Sequence, residues 1–315
     1  MKGFKNILYV SENAVEQDSA LARAVSLTEN NQADLTVIDV IPQVTAGIGL
    51  PPDLQARFEA ERRQALDSLV APHRERRRIH CKVLTGSMYL EVIREVLRDG
   101  YDLVIKPAAN PDFLERIFGS EDMHLLRKCP APVWLMKTAE KTNYECILAA
   151  VDFDPSEPES ARQGLNRKLL ELSSSLALSD FAQLHLVHVW DTPAEMLLRS
   201  WSDNPGEAAS RYVESERSRH QNGMASLREG LRAQIGQEAY DYISPHFHLI
   251  QGSAARVIPA MAKQLQADLV VMGTVARTGI PGLFIGNTAE TVLEQLRCSV
   301  LATKPPGFAS PVTLR

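Results

Sequence analysis

No stretch of this chain approaches the roughly 18 consecutive apolar residues of a membrane span. The apolar run near its start, residues 7–10, is too short for the core of a secretion signal. Cysteine is scarce: Cys81, Cys129, Cys146 and Cys298 show neither a CxxC pair nor a zinc-finger spacing, and four in 315 residues do not make a disulfide framework. A basic balance is also missing. The net charge is −5, and the one cluster of positive residues, HRERRR at 73–78, is short and broken by a glutamate. It reads as a solvated loop or helix end and leaves no footprint for nucleic acid. These absences lead to the expectation of a soluble cytoplasmic protein with reduced thiols, no membrane partner and no nucleic-acid partner. Catalytic signatures are absent too: there is no GxSxG elbow, no Walker A loop and no obvious nucleophile.

What is present is a repeat. Residues 80–106 (HCKVLTGSMYLEVIREVLRDGYDLVIK) set over 246–272 (HFHLIQGSAARVIPAMAKQLQADLVVM) align a histidine, a Gly-Ser pair and an Asp-Leu-Val at a constant offset of 166. Gly119 with Gly286, Val133 with Val300 and Lys137 with Lys304 keep an offset of 167. Upstream, LTVIDV (35–40) matches LHLVHV (184–189), and NILYV (6–10) matches CILAA (146–150). The chain is read as two copies of one domain, 1–139 and 144–305, with a tail at 306–315.

Each half carries five short apolar runs bounded by turn residues, at 7–10, 35–40, 81–84, 103–105 and 133–136, then 147–151, 184–189, 247–250, 269–272 and 300–302. Such runs are too short for helices and fit buried parallel strands. Helical patterns lie between them. Ala161, Leu165, Leu169, Leu172 and Leu176 form one stripe, with Ser156, Pro158 and Glu159 as its start signal. Gly86-Ser87 and Gly252-Ser253 each end a strand and offer serine as the next helix cap. Alternating strands and helices give an α/β fold, each half an open five-stranded parallel sheet with helices on both faces.

Half two has the longer connection after its second strand, 56 residues against 39 in half one. The extra length holds Trp190, Met196, Leu197, Leu198 and Trp201, then a helical stripe at His220, Met224, Leu227, Leu231 and Ile235. These residues either cover the sheet or line and lid an apolar pocket. Histidines 246 and 248 share a strand face and offer two metal ligands, to which His185, His188 or Cys81 would have to add more; His185 and His188, three apart, face opposite sides. His124 and Cys129 are expected in the core or on the surface.

In open parallel sheets, ligands sit beyond the carboxyl ends of the strands. After the fourth strand of half two comes GTVARTGIPGLFIGNTAE (273–290), a glycine-rich loop entering a helix at Asn287, with Glu290 placed for a capping box. Free amides and the dipole at such a start favour phosphate. This arrangement resembles the universal stress protein family, whose nucleotide-binding members carry G-x2-G-x9-G-[ST] after strand four. Gly273 and Gly286 match its first and third positions, Ala276 stands at the second, and Asn287 at the last with Thr288 beyond it. The resemblance implies that Asp152, ending strand one, lies near adenine and ribose, that Val189 presents backbone to adenine, and that Met272, Gly273, Ala276, Gly286, Asn287 and Thr288 complete the nucleotide-binding set.

It also implies tandem Rossmann-like domains of the adenine-nucleotide alpha-hydrolase type, with flavodoxin-like strand order, paired by a pseudo-two-fold through VWLMK (133–137) and LATK (301–304). The pairing makes an internal pseudo-dimer and leaves homo-oligomers open. In half one Ser11 stands where Asp152 stands, Lys106-Pro107 replaces Met272-Gly273, and the loop to Gly119-Ser120 is shorter and carries Pro111. The expectation is a cytoplasmic stress-response protein that binds ATP in its second half only, as a regulatory or weakly hydrolysing module. The alternatives are a carrier for an apolar or lipid-like small molecule and a protein-interaction scaffold.

Overall fold

All ten apolar runs form strands; eight are buried on both faces of the sheet, while β3 and β8, at its two edges, are half-buried. The computed structural model describes residues 3–43, 53–75, 78–108, 121–137, 139–155, 159–201, 204–274 and 286–314, the side chains of 159–163 excepted. Half one runs β1 (Asn6–Val10), α1 (Asp18–Asn31), β2 (Asp34–Ile41), α2 (Leu54–Val70), β3 (Ile79–Thr85), α3 (Met88–Asp99), β4 (Leu103–Pro107), α4 (Glu121–Lys128) and β5 (Val133–Met136). Half two runs β6 (Cys146–Ala150), α5 (Glu159–Asp180), β7 (Gln183–Trp190), α6 (Glu195–Trp201), α7 (Pro205–Ile235), α8 (Gln237–Ile243), β8 (His246–Gln251), α9 (Ala254–Gln264), β9 (Leu269–Gly273), α10 (Asn287–Gln295) and β10 (Ser299–Thr303). The start signal at Ser156 and Pro158 lies outside the described residues.

Within each half every strand pair is parallel, and helices cover both faces. One apolar layer packs Leu21, Val25 and Leu66 of α1 and α2, and Leu169, Leu176 and Leu231 of α5 and α7, against the sheet. The opposite layer uses Val92, Val96, Leu125, Ile258, Met261 and Val292 from α3, α4, α9 and α10. The strand order is β3-β2-β1-β4-β5 and, in half two, β10-β9-β6-β7-β8. The Rossmann-like expectation holds, but the finer expectation of flavodoxin-like order does not. Here β1, β2 and β3 step to one side before the chain crosses back to β4, so the order reverses between β1 and β4, and between β6 and β9.

The duplication reaches the backbone. Gly86 and Gly252 both adopt φ +148°, and their amides donate to Ile41 and Trp190 at 2.9 Å. A side chain would strain this turn. Ser87 and Ser253 do hold the N-cap positions of α3 and α9, but neither makes the side-chain cap bond; Ser87 Oγ donates to Glu121 instead.

The two sheets become one. β5 and β10 pair antiparallel, with Val300 opposite Leu135, Leu301 opposite Trp134 and Ala302 opposite Val133. The expected pairing edges are therefore the seam. Polar contacts reinforce it. Buried Arg23 of α1 pairs with buried Asp180 of α5 and donates to the Thr142 carbonyl, while its guanidinium lies over Trp134 and Tyr144. The Lys137 amide donates to Ser299 Oγ at 3.0 Å, and that hydroxyl donates to Glu140. Burial raises the pKa of Glu140, against the pull of the Ser299 bond.

Candidate functional site

In open parallel sheets, ligands sit in the crevice where the strand order reverses. In half two it lies between the ends of β6 and β9. Asp152 follows β6, and Asn166 of α5 fixes its backbone from both sides: the Asp152 amide donates to Asn166 Oδ1 at 3.2 Å, and Asn166 Nδ2 donates to the Asp152 carbonyl at 2.9 Å. The Asp152 carboxylate is thereby held out of the sheet, with 60% of the side chain exposed. Across the crevice β9 ends at Gly273. A Cβ there would stand 2.7 Å from Leu165 Cδ2 of α5, so any larger residue would have to push that leucine methyl aside. Met272 is buried in the layer under α9 and α10, and half-buried Val189 packs on that same layer. Both side chains therefore pack in that layer. Residues 275–285, Ala276 among them, lie outside the described residues.

Gly286 closes that loop: its amide donates to the Thr274 carbonyl at 3.1 Å. Gly286 is the N-cap of α10, so Asn287 is the first residue inside the helix and not the cap. The expected capping box does not form, because the Glu290 carboxylate is taken by Arg127 of α4, across the seam. Asn287 and Thr288 are exposed at the helix start, where first-turn amides lack intrahelical acceptors. Asp152, Val189, Met272 and Gly273 thus meet at the ends of neighbouring strands, while Gly286, Asn287 and Thr288 arrive at the end of β9 through the Gly286–Thr274 bond.

Half one needs a correction. Ser11 donates its amide to Ile38 just as Val151 donates to Val187, so Ser11 is the counterpart of Val151. Glu12 is the counterpart of Asp152, and the acid after the first strand is not lost. It is occupied. Lys106, buried in the place of Met272, lies 2.9 Å from Glu12 and 3.0 Å from Asp122, and also donates to the Pro107 carbonyl. Burial alone would lower the pKa of Lys106, but the Asp122 and Glu12 carboxylates together outweigh it and hold it above the ordinary value. A protonated lysine bridges the half-one crevice. No sequence signal separated this lysine from an ordinary strand-end residue.

The apolar insertion divides: Leu227, Leu231 and Ile235 of α7 cover the sheet as expected, while α6 does not. Trp190 is buried, but Met196, Leu197 and Trp201 of α6 are 78%, 63% and 86% exposed. They neither cover the sheet nor line a pocket. The groove that does form, about 520 Å³, runs between α7 and the edge strand β8, with Trp190, Met224, Phe247 and Leu249 as its apolar part and Arg217 and Arg228 beside them.

His185 and His188 do face opposite sides of β7. His185 Nδ1 lies 3.0 Å from His248 Nε2, and His246 stacks on the same ring. Burial, then the two neighbouring imidazoles, push the His185 pKa down to about 4. Among the described residues no group of three or more His, Cys, Asp or Glu is arranged to hold a metal ion. His124 is half-buried against Tyr89, and Cys129 is in the core. All four cysteines are free thiols, and burial pushes Cys129, Cys146 and Cys298 up to about 11, 11 and 12.

Two Rossmann-like halves, each with a strand-end crevice and joined through their last strands, define a tandem α/β protein. The profile of the Universal stress protein family matches residues 3–137 and again 143–304. The chain belongs to that family, in its tandem form. It is 33% identical to Universal stress protein E of Salmonella typhi over its whole length, covering 98% of that protein. It is 37% identical to the Escherichia coli K12 protein of the same name over 226 residues, 71% of this chain and 67% of that one. Among solved structures it is similar to a functionally unknown Pseudomonas aeruginosa protein, 27% identical, with a TM-score of 0.69 over 96% of this chain and 94% of the other. No described helix is long and apolar enough to cross a membrane.

Proposed function

We propose that the second half binds an adenine nucleotide, ATP, as a regulatory or weakly hydrolysing module of a cytoplasmic stress-response protein. The observation that carries this reading is the contrast between the two crevices. In half two the Asp152 carboxylate is exposed, with its backbone fixed, at the reversal point between β6 and β9. In half one the same position is bridged by Lys106. A carboxylate suits ribose hydroxyls, and the glycine-bounded start of α10 suits phosphate. Calorimetry with ATP should give saturable binding to the wild type, at one site per chain, and a loss of at least tenfold in affinity in Asp152→Ala. Absence of binding to the wild type at millimolar ATP would end this reading.

A second reading is favoured by the groove between α7 and β8. Its apolar floor and two flanking arginines suit a small apolar body with an acidic group. Mass spectrometry of the purified protein under denaturing conditions would detect such a molecule carried along. A protein extracted clean from several preparations would count against it.

A further inference from the structure

The insertion helix α7 is fastened to the strand-end segment that carries Asp152 by a chain of buried rings. Glu216, His220 and Gly223 lie on one stripe of α7 at four- and three-residue spacing. His220 Nδ1 is 2.9 Å from His188 Nε2 on β7. His188 Nδ1 is 3.3 Å from the Val151 carbonyl and 4.0 Å from Asp152 Oδ1. A carbonyl only accepts, so His188 carries a proton on Nδ1, and as a neutral ring its Nε2 is bare. Neutral His188 then accepts from His220 Nδ1, and His220 Nε2 lies 3.9 Å from Glu216. The rings around this chain leave no slack. Phe153 lies flat on His188, 3.8 Å between centroids and 18° between planes. A Cβ on residue 223 would come within 2.4 Å of the Phe153 ring, so Gly223 is what lets α7 sit this close. Trp190 stacks on His220. His188 is 1% exposed and His220 8%.

Half one repeats the plan with different chemistry. Asp39 is the counterpart of His188 and Asn13 that of Phe153. Arg62 of α2 donates to Asp39 at 2.7 Å, and Asn13 donates to the same carboxylate at 3.2 Å. Both halves thus tie the end of their second strand to a helix of the connection that follows it and to the loop after their first strand. In half one an ion pair does this; in half two it is a pair of imidazoles.

We infer that His188 and His220 are positioning residues that make the seating of α7 and the placement of the Asp152–Phe153 segment a single equilibrium. Ligand held at Asp152 is then felt along α7, one neighbouring stripe of which (Val213, Arg217, Gln221, Met224 and Arg228) walls the open groove. The part of this concerning ligand rests on the nucleotide reading; the coupling itself does not.

The test has three arms on the full chain. Nitrogen-15 NMR of the wild type reads the tautomer directly. His188 should be protonated at Nδ1 and bare at Nε2, and the opposite tautomer overturns the inference without any variant. Hydrogen exchange then compares His220→Phe, which keeps a ring and loses the donor, with His220→Asn, whose side-chain amide can still donate near the Nδ1 position. In His220→Phe, protection should fall about tenfold in both 151–155 and 216–224, and His220→Asn should restore most of it in both. Loosening of α7 with 151–155 unchanged, or equal losses in the two variants, overturns the coupling. Finally, millimolar ATP should raise protection in 216–224 of the wild type and not of His220→Phe. If ATP protects neither segment of the wild type while the first two arms succeed, the nucleotide reading fails and the coupling stands. If ATP protects 151–155 of the wild type alone, or protects 216–224 equally in His220→Phe, the coupling fails.

Discussion

Gly273 ends β9 against Leu165 of α5: a Cβ at 273 would meet Leu165 Cδ2 at 2.7 Å, so the leucine would have to shift. The glycine that opens the loop is thus favoured by packing before any ligand arrives. Gly273→Ala should lower stability by about 1–3 kcal/mol through overpacking. Combining it with Leu165→Ala should return part of that loss, as read by denaturant unfolding of the two single variants and the double. Additive losses would show that the glycine serves something other than this contact.

The buried pair Arg23–Asp180 crosses between the halves. Arg23→Met leaves Asp180 as an uncompensated buried charge and should cost about 3–5 kcal/mol. The double variant Arg23→Met, Asp180→Leu should recover much of it, since a buried ion pair replaced by apolar groups is often neutral. Loss of cooperativity in the thermal transition of Arg23→Met, with the halves unfolding apart, would locate the damage at the seam.

Lys304 carries a pH signature. It is buried beside the Leu126 carbonyl and Thr274, and burial depresses its pKa from 10.5 to about 8, which Cys129 opposes only weakly. Between those values the unfolded chain holds a proton that the folded one has released, so stability rises with pH across that window. Below pH 8 both states are protonated and the burial cost is present in full, on the order of 3 kcal/mol. Urea titrations from pH 7 to pH 10 should show the rise in the wild type and its disappearance in Lys304→Met.

α6 offers a converse test. Trp201 is 86% exposed, so Trp201→Ser should shift stability by less than about 0.5 kcal/mol. A large loss would mean that the side chain is covered in solution by a partner or a second copy.

The strands were readable because a parallel strand buried on both faces is a contiguous apolar run, and the repeat placed each of them twice. The seam through VWLMK and LATK was expected from the family resemblance and not from the apolar runs, which mark strands but not their partners. The ties between distant elements were not. Lys106 looks like any strand-end lysine until Glu12 and Asp122 are brought to it from 94 and 16 positions away. His220 reads as one more polar residue on a long helix, and its partner His188 lies 32 residues earlier. The register after β1 was misread by one residue, since no apolar pattern continues past Val10 to fix it; only the amide of Ser11 does so. The spacing of Asn287 and Glu290 suggested a cap, but a spacing cannot announce that Arg127 from the other half will claim the glutamate.

The antiparallel seam between β5 and β10 has a geometric result. Strands of one half run against those of the other, so their carboxyl ends emerge on opposite rims of the ten-stranded sheet. The Lys106-bridged crevice opens on one rim and the Asp152 crevice on the other. Anything reaching the sheet from one rim therefore meets only one of the two crevices. Duplication with a head-to-tail chain and an inverted seam has turned two copies of one mouth away from each other.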